Sequence, residues 1–347
     1  MPYDYDDLPE HLYDASDAIT ERLIVAKSLD YGEQMEAEAE AAYTDAARVE
    51  IPHLMAVATM LRLASQIERG NYRDAVASYV RLLKLRRQFA DYLAPDVQST
   101  ILTLVIFNVS AMLQLPDASL RQVNGLIDQM EQAHREAGES LAAIYFSRAQ
   151  VAAERGDLPG LREWQERWQT AERGEFFDPE FEARFQAEFY GTYDPERALE
   201  FLDTIDGQFP DSAAYFDVKR ADLLVRLGRA DEALAAAREA AAAYSPEELA
   251  EDADLGWLLR ALEPDRDAAL SLMAACPLVF ADGGADAPPE ELFTLASGAR
   301  LLLADPASAA EGAALRERAW ELAAAYDARN ETTYHADLLN AFWFPPA

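Results

Sequence analysis

Apolar positions along this chain fall three, four and seven residues apart rather than two. After Asn71, the positions Ala75, Val76, Tyr79, Val80 and Leu83 share one side of a helix, and after Asp157 so do Leu161, Trp164 and Trp168. After Asp194 come Ala198, Leu199, Leu202 and Ile205, and after Gly228 come Ala233, Ala237, Ala240 and Ala241. A stripe at that spacing buries one side of an α-helix and leaves the other to solvent. Small residues near the middle of the stripes let paired helices approach closely. Turn and cap signals separate the stripes. Asp178-Pro179, Asp194-Pro195 and Asp305-Pro306 set an acidic cap before a proline at the first helical position, and Ser245-Pro246-Glu247-Glu248 spells a capping box. Pro52, Pro95, Pro210, Pro264 and Pro288-Pro289 also stand at helix entries, where a missing N–H has no helical partner to lose.

These marks place second-helix starts near Tyr31, Asn71, Asp117, Asp157, Asp194, Arg229, Asp265 and Asp305, at intervals of about 35–46 residues. A near-constant period of this length is the signature of stacked helix hairpins. The pattern therefore predicts an all-α chain, an α-solenoid forming one domain over 1–347. Its hairpins are expected at about 10–48, 51–90, 95–137, 139–173, 178–207, 211–244, 246–276 and 288–327, with a capping helix at 330–343. The loop from Pro277 to Pro289 is the longest irregular piece.

Composition agrees with helix. Half of the residues are apolar, and Ala, Leu, Glu and Arg, all strong helix formers, dominate. The formal net charge is −33, which argues against nucleic acid and against anionic membrane surfaces as partners. The excess of Asp and Glu either keeps the surface soluble or selects a basic partner by charge. Only three lysines (Lys27, Lys84, Lys219) stand against 27 arginines; with the alanine excess, this points to a GC-rich bacterial genome. The single cysteine, Cys276, rules out an internal disulfide and reads as a structural thiol. The N-terminal residues are acidic and carry no apolar run, so a cytoplasmic protein is expected. The most apolar stretch, Ile101–Leu115, reads as a buried helix too short to span a bilayer.

Four segments share a form: Gly70-Asn71-Tyr72 with Ala75, Gly156-Asp157-Leu158 with Leu161, Asp194-Pro195 with Ala198, and Gly228-Arg229-Ala230 with Ala233. An amphipathic helix such as Tyr145–Ala152 precedes the turn. This form resembles the junction between the two helices of a tetratricopeptide repeat, and Pro210, after Leu202 and Ile205, resembles the repeat-ending proline. The mean spacing, about 39 residues, exceeds the 34 of that family, and most repeats lack its early aromatic residue. The resemblance implies a right-handed superhelix whose first helices line a groove that binds a protein or peptide. Longer-period regulatory members of the family also carry a DNA-binding or ATPase module, and no such module is visible here.

Within that frame the helix from Asp211 to Leu227 presents Tyr215, Lys219, Asp222 and Arg226 as one polar stripe, opposite Phe216, Leu223, Leu224 and Leu227. Phe146, Gln150 and Glu154 take the corresponding places in an earlier helix, and Tyr190 completes the candidate partner-binding set. The same stripe is also what an ordinary solvated helix face looks like. Asp222 stands where the family's carboxylate clamp carries Asn, which speaks against a C-terminal carboxylate as ligand. The basic cluster Arg81, Lys84, Arg86 and Arg87 reads either as charge at a helix C-terminus or as a contact with acidic residues. The terminal Phe342-Trp343-Phe344-Pro345-Pro346 reads either as a cap on the last repeat or as a docking site.

Phosphate-loop, dinucleotide and nucleophile-elbow motifs are absent from the sequence. His11, His53, His134 and His335 are widely separated, and the pairs Asp252/Asp254 and Asp282/Asp286 do not fill a calcium-loop pattern. No catalytic residue, metal or cofactor is expected. The sequence points to a non-enzymatic interaction scaffold, with a peptide-sensing regulator as the alternative.

Overall fold

The computed structural model describes residues 3, 8–172, 177–245, 255–276, 288–289 and 291–345, and among these every regular element is helical. The helices are α1 (Tyr13–Ser28), α2 (Glu33–Arg48), α3 (Pro52–Glu68), α4 (Tyr72–Phe89), α5 (Pro95–Thr103), α6 (Val105–Leu113), α7 (Leu120–Ala137), α8 (Ala142–Glu154) and α9 (Leu158–Thr170). There follow α10 (Pro179–Tyr193), α11 (Pro195–Ile205), α12 (Ala213–Arg226), α13 (Ala230–Ala243), α14 (Leu255–Leu262), α15 (Arg266–Ala275), α16 (Glu291–Leu303), α17 (Ala309–Asn330) and α18 (Tyr334–Leu338), which runs into a π-helical turn, Leu339–Trp343. Helices α2, α4, α7, α9, α11, α13 and α15 each begin within three residues of the turn signal that marks them in the sequence, and α17 begins four residues after its own.

Local chemistry accounts for many of the starts. Asp178, Asp194 and Asp265 cap their helices by accepting from the backbone N–H three residues on. Asp305 does not cap a helix. It accepts from Ala307 N within a turn, and α17 starts later, behind Ser308. Ser119 and Gln122 form a capping box that the periodicity did not single out. The box expected at Ser245–Glu248, the pairs Asp252/Asp254 and Asp282/Asp286, and most of the Pro277–Pro289 loop lie outside the described residues. At the junctions before α4, α9 and α13, Gly70, Gly156 and Gly228 hold φ near +67°, +65° and +70°, a left-handed conformation that glycine adopts without steric cost.

Contacts divide the chain into two compact units, Met1–Gln150 with Arg167–Phe176, and Val151–Glu166 with Phe177–Ala347. In the first unit, α1 to α4 pack in succession, and α6 packs on α4 and α7. Its core includes Ile51, Leu63, Tyr79, Leu82, Ile101, Val105 and Ile127, all fully buried. Its ion pairs bridge neighbouring helices near the surface: Arg22–Asp45 at 3.0 Å, Arg69–Glu36 at 2.8 Å, Arg81–Glu40 at 2.8 Å and Arg148–Glu131 at 2.6 Å. Arg81 also lies over the Tyr43 ring, so it makes the acidic contact, while Arg86 and Arg87 occupy the last turn of α4, where cations complement the helix dipole. Helices α5 and α6 together span residues 95–113, long and apolar enough to cross a bilayer by length and composition, and 61% of the 18-residue window that passes this test is buried inside the structure.

In the second unit, α12 is enclosed by α10, α11, α13 and α14. Ala187, Leu202, Val218, Leu223, Ala237 and Leu258 form one core with Cys276, which is buried as a structural thiol would be. A second core gathers Leu292, Leu295, Ala299, Ala319 and Trp343. Helices α14 and α16 touch backbone to backbone at Gly256, where an added Cβ would lie 2.4 Å from the Phe293 carbonyl carbon. Trp343 packs on Trp257 at 4.4 Å and stacks on Phe293 at 5.0 Å, and its indole N–H donates to Ser297 Oγ at 2.7 Å. The terminal aromatics, up to Pro345, thus cap this core; Pro346 lies outside the described residues. The unit also joins distant parts of its own sequence. Arg155 Nε donates to the Asn330 carbonyl at 3.2 Å, and Asn330 Nδ2 donates to the Glu154 carbonyl at 3.0 Å. A stack with nearest-neighbour contacts alone would lack such bonds.

Candidate functional site

The candidate residues part company in the structure. Phe146 and Gln150 are buried in the first unit, and Phe146 meets Trp168 edge-to-face at 5.2 Å. Tyr190 is buried in the core beside α11, where its hydroxyl accepts from Arg197 Nη2 at 3.0 Å and from Gln186 Nε2 at 3.2 Å. Lys219 and Asp222 do not form a solvated stripe: they are 1% and 0% exposed. The periodicity of α12 marks which of its sides is apolar, but neighbouring helices cover its polar side as well.

That covered side holds a chain of charges. Lys219 Nζ lies 2.6 Å from Glu188 Oε2 on α10 and 3.2 Å from Asp222 Oδ2. Arg226 Nε reaches Asp222 Oδ1 at 2.5 Å, and its guanidinium stacks 4.2 Å above the Trp257 ring. Burial pushes the Glu188 carboxyl up, but the Lys219 ammonium and Arg226 hold it below the ordinary carboxylate range. Burial also opposes the charge on Arg226, and Asp222 overcomes it, so the guanidinium is held more firmly protonated than usual. The two cations and two anions balance, which offsets part of the cost of taking Lys219, Asp222 and Arg226 out of water.

A second chain of charges adjoins the first through Tyr334, whose phenol is raised by burial while the charges of Arg226, Glu154, Glu188 and Asp222 all act on it. Arg329 Nη2 donates to Glu154 Oε1 at 2.9 Å, and His335 stands between Glu154 Oε1 at 3.4 Å and Asp327 Oδ1 at 3.1 Å. Asp327 also accepts the backbone N–H groups of His335 and Ala336 at 2.9 and 3.0 Å. Burial lowers the His335 pKa, but its bonds to Asp327 and Glu154 reverse this and bring it to about 9. Burial likewise raises the Asp327 carboxyl, and the bonds from His335 and the backbone bring it below the usual range. The tight turn at Gly156 makes room for Tyr334: a Cβ there would sit 2.3 Å from the ring.

The first chain reaches solvent at one edge. The Glu188 side chain remains 41% exposed, and the Tyr215 hydroxyl contacts its Oε2 at 3.4 Å and the Arg184 carbonyl at 3.3 Å. The exposed Arg184 guanidinium lies 4.3 Å over the Tyr215 ring. A cation, an aromatic face and a carboxylate are thus presented together and fixed from behind by Lys219. Of the eight candidates, the structure gathers Glu154, Tyr215, Lys219, Asp222 and Arg226. It adds Glu188, Arg184, Trp257, Asp327, Arg329, Tyr334 and His335, which no local spacing signals because they come from other helices. Among the described residues, no group of three His, Cys, Asp or Glu side chains is placed to hold a metal ion. Compared with protein-family models, curated proteins and solved structures, the chain has no match among them.

Proposed function

We propose that this chain is a non-enzymatic, tetratricopeptide-like interaction protein, a right-handed α-solenoid in kind, that binds a segment of a protein partner at the solvent edge of the α10–α12 charge chain. The regular interval of its helix starts and the left-handed glycines at three junctions support the repeat reading. The observation that carries the binding reading is the Arg184–Tyr215–Glu188 edge, where a guanidinium, an aromatic ring and a carboxylate touch one another at the surface. Side chains already held in place lose little conformational freedom on association, and Tyr and Arg are the residues that most often anchor interfaces. The net charge favours a basic segment.

The test is affinity capture with purified wild-type and Tyr215→Ala protein, with both folded states checked by thermal melting. A partner retained by the wild type and lost by Tyr215→Ala at unchanged melting temperature supports the reading. A captured set identical for the two proteins removes this edge as the binding site. The regulator reading draws on the Glu154–Arg329 closure, which a ligand would open or tighten; a peptide that binds only the native state would raise the melting temperature.

A further inference from the structure

The first helix carries a surface that the α10–α12 reading does not use. Six apolar or tyrosyl side chains stand out as exposed among the described residues, and four of them lie within residues 13–31: Tyr13 at 52%, Ile24 at 64%, Val25 at 51% and Tyr31 at 56%. The inward side of α1 is satisfied by Ile19, Leu23 and Ala26, so these four are surplus to its own packing. At 3.6 residues per turn, Tyr13, Asp17, Ile24 and Ser28 fall within about 60° of arc on the outward side. The face is divided along its length. After Tyr13 in its first turn it exposes Asp14, Asp17 and, just past the midpoint, Glu21; its last two turns expose Ile24 and Val25, with Tyr31 in the turn beyond. Carboxylates early in a helix complement its dipole, and that accounts for Asp14 and Asp17. It does not account for exposed Ile24 and Val25, which cost free energy in water.

We infer that the outward face of α1 docks a cationic amphipathic helix of a partner protein, with its Arg or Lys side chains over Asp14, Asp17 and Glu21 and its apolar side chains on Ile24, Val25 and Tyr31. The charge pattern selects this occupant. A second copy of the chain, set antiparallel, would press carboxylates onto isoleucine and valine; set parallel, it would press carboxylates onto carboxylates, and neither arrangement satisfies the buried charge. An anionic membrane is repelled by the same carboxylates. Helix α1 has 16 residues, about 24 Å of length, so a partner helix of about four turns covers it. Carboxylate and apolar groups on one helix face suit pairing with a second amphipathic helix, the apolar anchors giving affinity and the charges giving register.

The probes are two fluorescent synthetic peptides of about 16 residues and identical composition in Leu, Arg, Ala and Gln. One gathers Arg in one half and Leu on the same face of the other half, and the other is a scramble with the same charge. Binding to the full chain is followed by fluorescence anisotropy at about 0.15 M salt, where long-range attraction is screened beyond roughly 8 Å. The ordered peptide is expected to bind about tenfold tighter than the scramble. Ile24→Ser with Val25→Ser should abolish that preference, and Asp17→Asn with Glu21→Gln should flatten the dependence on salt. Tyr215→Ala should leave it intact, which separates this surface from the α10–α12 edge. Equal affinity for the two peptides, or a preference that survives Ile24→Ser with Val25→Ser, overturns the proposal. A preference lost in Tyr215→Ala also overturns it, by placing the peptide at the other edge.

Discussion

His134 and His335 are buried almost equally, at 2% and 3% exposure, one in each unit, yet burial leaves them in opposite states. His134 meets backbone carbonyls: its Nδ1 lies 2.8 Å from the Ser140 oxygen, and burial lowers its pKa further than the Leu102 and Ser140 carbonyls and Glu139 can restore. His335 meets two carboxylates, which outweigh the same burial and hold it protonated. The difference extends to the rest of each unit. The ion pairs described in the first unit lie near its surface, while the second unit places Lys219, Asp222, Arg226, Arg329 and His335 inside. The surplus of 33 negative charges is therefore no guide to the interior of the second unit, where each buried acid faces a cation.

Removing one member of the interior chain should have the largest effect. Lys219→Ala takes their shared cation from Asp222, which keeps Arg226, and from the partly exposed Glu188, and the second unit should lose about 2–3 kcal/mol, read by denaturant-dependent hydrogen exchange in α10 and α12. In the first unit Arg62 shares the Glu40 carboxylate with Arg81, and all three are partly solvated, so Arg62→Ala should cost less than about 1 kcal/mol. Equal losses in the two variants would end the comparison.

A pH series sharpens it. The folded pKa of His335, about 9, lies above its unfolded value, so its contribution is complete below about pH 6.5 and disappears as pH rises through 9. That contribution is of the order of 3 kcal/mol. His134 has a folded pKa below its unfolded value, so the unfolded chain takes up the proton first, and the first unit should weaken as pH falls below about 6.5. Above the range where Asp327 titrates, exchange in α7 should therefore quicken toward acid pH and exchange in α17–α18 toward alkaline pH. His335→Gln should remove the alkaline loss alone.

Glycine substitutions give a smaller contrast. Gly138 and Gly156 both hold positive φ, but nothing lies within 4 Å of a Cβ at Gly138, whereas Tyr334 blocks one at Gly156. Gly138→Ala should cost about 1 kcal/mol for the backbone alone, and Gly156→Ala about 2 kcal/mol or more as the Tyr334 ring is displaced. Thermal melting measures both, and Tyr334→Ala should narrow the gap between them.

Much of the helical organisation was legible because caps, prolines and left-handed glycines act over a few residues. Asp194, Asp265 and Gly228 sit at junctions for reasons their immediate neighbours supply. The start of α17 was misplaced because Asp305 spends its side chain on a turn that looks the same in sequence. The candidate site was legible only in part. Tyr215, Lys219, Asp222 and Arg226 share a face by spacing, but their burial depends on Glu188, Trp257 and Tyr334, which no period links to them. Phe146 looks like a groove residue in sequence and is a core residue because Trp168 folds onto it.

The bonds from Glu154 and Arg155 to Arg329 and Asn330 join residues 175 positions apart. During synthesis the second of these segments leaves the ribosome roughly 9–35 s after the first, at 5–20 residues per second. Throughout that interval the Glu154 carboxylate and the Arg155 guanidinium lack the partners they have in the finished unit. The second unit can be completed only once α17 and α18 have been made, so a chain cut short before residue 329 lacks the groups that close on Glu154 and Arg155.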